Sequence, residues 1–72
     1  MPRISRARAE AVRARILEAG VTVFERRGFE RASISAIAEE AGLSAGSIYT
    51  YFKSKEELFL AAFGMLVEEE EQ

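Results

Sequence analysis

Cysteine, histidine, tryptophan and aspartate are all missing from the 72 residues, and proline occurs once. Without cysteine no disulfide can staple the fold. Without cysteine or histidine the common zinc and iron ligand sets cannot be assembled, so no metal is expected. A histidine general base and a Ser-His-Asp triad are excluded on the same ground. No convergent pair of catalytic side chains is visible, and neither an enzyme nor a bound cofactor is expected. Long apolar runs are scarce too. The longest covers residues 58–67, interrupted only by Gly64, and falls well short of the ~20 residues that span a bilayer. No apolar stretch follows the basic first residues, so a secretory signal is not expected either, and the default compartment is the cytoplasm. A chain this short holds one small domain.

What is present is unevenly distributed. The formal net charge is −2. Yet residues 1–55 hold all ten Lys and Arg against six Glu, a balance of +4, and residues 56–72 hold six Glu and no base, a balance of −6. Arg3, Arg6, Arg8, Arg13 and Arg15 stand near the start against the single Glu10. Such segregation points to a basic end that meets an anionic partner, although a charge run is more often just a solvated surface.

Hydrophobic residues make up 49 % of the chain and twelve positions are alanine, with no alternating strand pattern. The chain is therefore expected to be all-α. A first helix should run from about Ser5 to Arg27, with Val12, Ile16, Ala19 and Val23 on one stripe widened by Leu17 and Phe24. Gly28 ends it in the left-handed region, and Phe29 folds back on the last turn. Ser33 caps a second helix whose face is Ile34, Ile37, Ala38 and Ala41, and Gly42 stops it. Ser44 caps a third, short helix over about Ala45 to Phe52, with Leu43 placed to staple against Ile48. Ser54-Lys55-Glu56-Glu57 forms a capping box and opens a fourth helix directed towards the end of the chain.

Residues 33–52 carry the most specific pattern. Ala38 is small enough for a close helix crossing, and Gly42 lies four positions on, where the turn needs positive φ. Leu43, Ile48 and Tyr51 or Phe52 close the apolar wedge. This is the spacing of a helix-turn-helix, and the short turn and short second helix favour a DNA reader over an ordinary helical hairpin. The expected architecture is a three-helix bundle with a helix-turn-helix, plus the start of a fourth helix.

Arg15-Ile16-Leu17, Phe24, Gly28-Phe29, Ile37-Ala38, Ala41-Gly42-Leu43-Ser44, Gly46-Ser47-Ile48-Tyr49, Tyr51-Phe52 and Lys53-Ser54-Lys55-Glu56 follow one another at a recognisable spacing. Together they resemble the N-terminal DNA-binding domain of TetR-type transcriptional regulators, over residues 10–67. Ser33 stands where that family usually has Thr, and Gly20 where it usually has Ala, the latter at about 1 kcal/mol of helix propensity. The resemblance implies double-stranded operator DNA as partner and a reading role in a ligand-responsive repressor. It also implies a homodimer formed through a C-terminal domain absent from this sequence, and a small-molecule inducer for the full-length protein only. The alternative is a helical interaction or dimerisation module that uses the apolar fourth helix.

On that reading the third helix enters the major groove. It holds no Arg, Lys, Asn or Gln from Ser44 to Phe52, so the bidentate base contacts are unavailable to it. Ser44, Ala45, Ser47 and Thr50 offer single hydrogen bonds and methyl contacts instead. Gly46 either admits a close backbone approach or serves a tight helix crossing. Lys53 and Lys55 lie just past the helix as candidate phosphate contacts, and the resemblance assigns backbone-holding roles to Lys55 and Tyr49. Tyr51 can place its ring inward and its hydroxyl on a phosphate, whereas Phe52 reads as core. Ser33 either caps alone or also touches phosphate. Arg3, Arg6 and Arg8 form a basic arm, residues 1–9, which either enters a narrow minor groove or steers non-specifically.

The fourth helix carries more apolar residues than one face can bury, and Glu68 to Glu71 sit unfavourably at its C-terminal end. Residues 68–72 are accordingly expected to mark a truncation point.

Overall fold

The computed structural model describes residues 4–64, with side chains from Arg6 onward. Among the described residues there are four helices and no strand: α1 (Ile4–Arg27), α2 (Ile34–Ala41), α3 (Ala45–Tyr51) and α4 (Lys55–Ala62). The all-helical expectation is met, with three corrections to the boundaries.

The first concerns the start. Helix α1 opens at Ile4, as the expected start near Ser5 required, so the part of the basic arm from residue 4 onward is helical. Ala7, Ala9, Ala11 and Ala14 explain this, since alanine has the highest helix propensity and loses no side-chain entropy on ordering. The second concerns the end of the third helix, where Phe52 is the cap of α3 rather than its last turn. The third concerns the last helix. Its regular part ends at Ala62, Phe63 caps it, and Gly64 takes φ +67°. The four-glutamate run and the apolar Met65, Leu66 and Val67 lie outside the described residues, as does Arg3.

Packing begins at the second half of α1. Ile16, Ala19, Val23 and Phe24 are buried against Ile37, Ala38 and Ala41 of α2, Ile48 of α3, Phe52 and Leu58 of α4. Aliphatic and aromatic burial of this kind stabilises by about 1.5–3 kcal/mol per side chain. Gly28, at φ +84°, closes α1 and donates its N–H to the Phe24 carbonyl at 2.7 Å. Phe29 then turns back to stack on Phe24, with ring centroids 5.9 Å apart.

Over the described residues of α4, most of the apolar side chains find cover. Phe59 meets Phe24 and Phe29 edge-on at 5.0 and 5.2 Å, and Phe63 lies 4.9 Å from Phe59. Both are half-buried, and among the described α4 side chains Leu60 is the exposed large hydrophobic. An aromatic cluster covers flanks of the helix that a stripe of aliphatics would leave bare. Gly20 has a reason as well. A Cβ built on it would lie 2.6 Å from Cδ2 of the buried Leu58, so the missing methyl is what lets α4 approach α1.

Candidate nucleic-acid interface

The α2–α3 unit is built from backbone hydrogen bonds. Ser33 is extended, and its Oγ accepts from the Ala36 N–H at 3.0 Å, which starts α2. At the other end Gly42 adopts φ +73°. The Leu43 N–H donates to the Ala38 carbonyl at 2.9 Å, and the Gly42 N–H to that of Glu39 at 3.2 Å. Side chains with a Cβ resist this conformation, and glycine does not. Ser44 then reverses the chain into α3, its Oγ accepting from the Ser47 N–H at 3.1 Å. The chain thus passes from one helix to the next within three residues, with both ends capped.

Two long cations brace this unit from outside it. Arg15 Nε donates to the Ala41 carbonyl at 3.0 Å, tying α1 to the last turn of α2 just before the glycine. Lys55 Nζ donates to the carbonyls of Phe29, Ala32 and Glu30 at 2.7, 3.0 and 3.4 Å and lies 4.3 Å from the Phe29 ring centroid. An ammonium has three hydrogens to donate, and three carbonyls receive them. The residue read as a phosphate contact therefore joins the start of α4 to the turn that leads into Ser33. Sequence spacing gives no sign of either brace, because each partner lies 23 to 26 residues away.

Beyond Ile48, which is fully buried, α3 shows a polar but uncharged surface. Ser44, Gly46, Tyr49 and Thr50 are exposed, and Ala45, Ser47 and Tyr51 are half-buried. Tyr49, at 55 % exposure, is the most open large side chain among the described hydrophobic and aromatic residues. The hydroxyls of Ser44 and Ser47 lie 3.1 Å apart, either one donating, and Thr50 Oγ1 donates to the Gly46 carbonyl at 3.2 Å. These contacts hold the side chains in defined positions while leaving oxygen lone pairs available. A Cβ on Gly46 would meet only Ser44 Oγ, at 3.8 Å. Among the described residues, then, Gly46 faces no close helix crossing.

Charge surrounds this surface without entering it. Lys53 is exposed at the end of α3, and Arg6, Arg8 and Arg13 are exposed on the first turns of α1. Among the described residues the one ion pair, Arg26 with Glu40 at 3.3 Å, joins the C-terminal half of α1 to α2. Arg13 is a residue the sequence reading did not assign to the interface. Its guanidinium lies 5.0 Å from the centroid of the Phe52 ring, at the cap of α3. A sequence signal existed, since Arg6 and Arg13 are seven apart and share a helix face, but Phe52 as the platform emerges only on folding.

The helical state of residues 4–9 also changes what that segment can reach. An α-helix with side chains is ~10–12 Å across, whereas the minor groove is about 6 Å wide. As helix, Arg6 and Arg8 are presented from a rod wider than that groove.

Comparison with known proteins bears on the same segment. Residues 16–62 match the family model described as bacterial regulatory proteins, tetR family. The chain is 43 % identical over 58 residues to the HTH-type transcriptional regulator YfiR of Bacillus subtilis, covering 81 % of this chain and 28 % of that protein. It is 40 % identical over 68 residues to the HTH-type transcriptional regulator TtgR of Pseudomonas putida, covering 94 % of this chain and 32 % of the relative. It is also 38 % identical over 52 residues to the HTH-type transcriptional repressor KstR of Mycolicibacterium smegmatis, covering 72 % of this chain and 26 % of KstR. The chain thus spans between a quarter and a third of the length of these relatives. All of them are named as regulators of transcription rather than as enzymes or interaction modules. The family match, the glycine turn between two serine-capped helices and the open uncharged face of α3 agree: this chain belongs to the tetR family of bacterial regulatory proteins and carries its helix-turn-helix, DNA-binding region.

Proposed function

We propose that the chain reads a specific double-stranded operator by laying α3 in the major groove, as the reading part of a repressor. The observation that supports this most directly is the capped α2–Gly42–α3 unit, in which α3 presents an uncharged polar face with the exposed Lys53 just past its end. Ser44, Ala45, Gly46, Ser47 and Thr50 meet base edges through hydroxyls, methyls and close backbone approach. Tyr49, Tyr51, Lys53 and the Ser33 end of α2 hold the phosphates on either side. Arg6 and Arg8, with Arg3 outside the described residues, add non-specific attraction along the duplex. Lys55 holds a phosphate at the start of α4, and its bonds to the carbonyls of Phe29 and Ala32 place it beside the N-terminus of α2. With no bidentate Arg–guanine or Asn–adenine pair available from α3, discrimination rests partly on DNA shape.

The regulator acts as a homodimer, so that two α3 helices meet half-sites about 34–36 Å apart. A small-molecule inducer acts on the complete protein, through a part that these residues do not include. The site of action is the cytoplasm, and no described helix is long and apolar enough to cross a membrane. No catalytic role is proposed.

Selection of duplexes from a random pool, followed by gel retardation over a salt series, tests the reading. A recurrent sequence and a shift that weakens as salt rises are expected. Salt-independent self-association with no retarded duplex would instead favour an interaction module built on α4.

A further inference from the structure

Resting on that reading, we infer that Thr50 is the residue of α3 that selects an A·T base pair. Its methyl packs against the 5-methyl of thymine, and its hydroxyl accepts a hydrogen bond from the amine of adenine.

The position comes from the helix geometry. Ile48 is the buried residue of α3. With about 3.6 residues per turn, the positions two before and two after Ile48 come round to the side opposite the core. Those positions are Gly46 and Thr50, both exposed. They form the outermost edge of α3, the part that goes deepest into a groove. The edge is bare at Gly46, where an added Cβ would meet only Ser44 Oγ, at 3.8 Å. Packing among the described residues therefore does not call for a glycine there, although glycine weakens a helix. The missing side chain lets this edge come close to the bases, with Thr50 one turn further on.

The selectivity comes from the hydroxyl. Thr50 Oγ1 donates to the Gly46 carbonyl at 3.2 Å. A hydroxyl has one hydrogen, so this one faces outward with lone pairs only. The methyl is fixed by the same torsion, because a β-branched side chain is stiff at χ1. In the major groove guanine offers two acceptors, N7 and O6, and an acceptor-only hydroxyl satisfies neither. Cytosine offers an amine but no methyl. Only an A·T pair presents both an amine donor and a methyl. No other side chain of the reading segment combines the two features. Ser44 and Ser47, whose hydroxyls bond each other at 3.1 Å, carry no methyl, and Ala45 carries no polar group.

The test uses the intact chain and duplexes that it selects from a random pool. Each thymine of one half-site is replaced in turn by deoxyuridine, which removes the 5-methyl alone. At one position wild-type affinity is expected to fall about fourfold, the worth of one buried methyl-sized group. Thr50→Ser keeps the hydroxyl and loses the methyl, so it should bind the thymine and uracil duplexes equally there. Thr50→Val keeps the methyl and should retain the ratio. Purine in place of the paired adenine, which lacks the amine, should weaken the wild type and spare Thr50→Val. Each variant is compared with itself on two duplexes, so a general loss of stability or of phosphate contact cancels. A wild-type ratio of one at every thymine, or a wild-type ratio retained by Thr50→Ser, overturns the role of Thr50 while DNA reading stands. An equal loss on purine in the wild type and Thr50→Val overturns the acceptor role of the hydroxyl. A chain that retards no duplex, or retards all sequences alike, fails the reading and the inference together.

Discussion

α1 and α4 are joined by rings, whereas α2 and α3 are joined by small side chains and capped turns. On the α1–α4 side Phe24, Phe29, Phe59 and Phe63 form five ring pairs with centroids 4.9 to 6.1 Å apart. Each such pair adds about 0.5–1.5 kcal/mol beyond the area it buries. On the α2–α3 side the contacts are Ala38, Ala41 and Ile48, a glycine at φ +73° and two serine caps. The lesson is a division of labour. One side is a buttress whose strength comes from large apolar groups. The other is thin, so that a seven-residue helix stands clear of the bundle with an open polar face.

The comparison breaks most readily at the buttress. Phe24 is buried and touches three other rings, and removing a buried Phe typically costs about 3–5 kcal/mol. A core of this size supplies only about that much in total. Phe24→Ala is therefore expected to abolish the cooperative thermal transition seen by far-ultraviolet circular dichroism. A melting temperature within a few degrees of wild type would show that the rings are not what holds the domain.

The turn comes next. Gly42→Ala places a Cβ in the left-handed region at a cost of about 1–2 kcal/mol. The space itself is open, since the nearest atom is Arg15 Nη2 at 3.5 Å. Denaturant titration should show that loss with an unchanged slope, and DNA affinity should fall by more than the stability change explains, because the tilt of α3 is altered. Equal stability and full affinity would mean that the turn tolerates another geometry.

The smallest effect is expected at the seam between α1 and α4. Helix propensity alone predicts that Gly20→Ala gains about 1 kcal/mol. Its new methyl would lie 2.6 Å from Leu58 Cδ2, and overpacking a core costs ~1–3 kcal/mol. The net change should lie between zero and a loss of about 2 kcal/mol. A gain of the full helix-propensity value in a denaturant titration would show that Leu58 moves aside freely.

These three sites also mark how far the sequence could be read. The Gly42 turn and the caps at Ser33, Ser44 and Ser54 were legible, because capping and left-handed turns depend on neighbours within four residues. Even so, the reciprocal bond of the Ser54 box differs from the expected pattern. Ser54 Oγ accepts from the Glu57 N–H at 3.0 Å, but the Glu57 carboxylate accepts from the Lys53 N–H at 3.1 Å, one residue before the cap. The Gly20 contact with Leu58 was not legible, since helix propensity describes an isolated helix and the clash is with another one. Nor was the roll of the α4 aromatics around Phe24, which no single-helix periodicity contains.

The sequence by itself determined the helices, their caps, the glycine turn and the separation of basic from acidic regions, all of which arise from short-range stereochemistry and composition. Tertiary structure alone decided what each long cation does. Arg15, Lys55 and Arg13 are the same kind of group along the chain. Among the described residues, folding gives Arg15 a helix-end carbonyl, Lys55 three carbonyls and Arg13 an aromatic face. Acceptors 23 to 26 residues away are set by packing rather than by spacing.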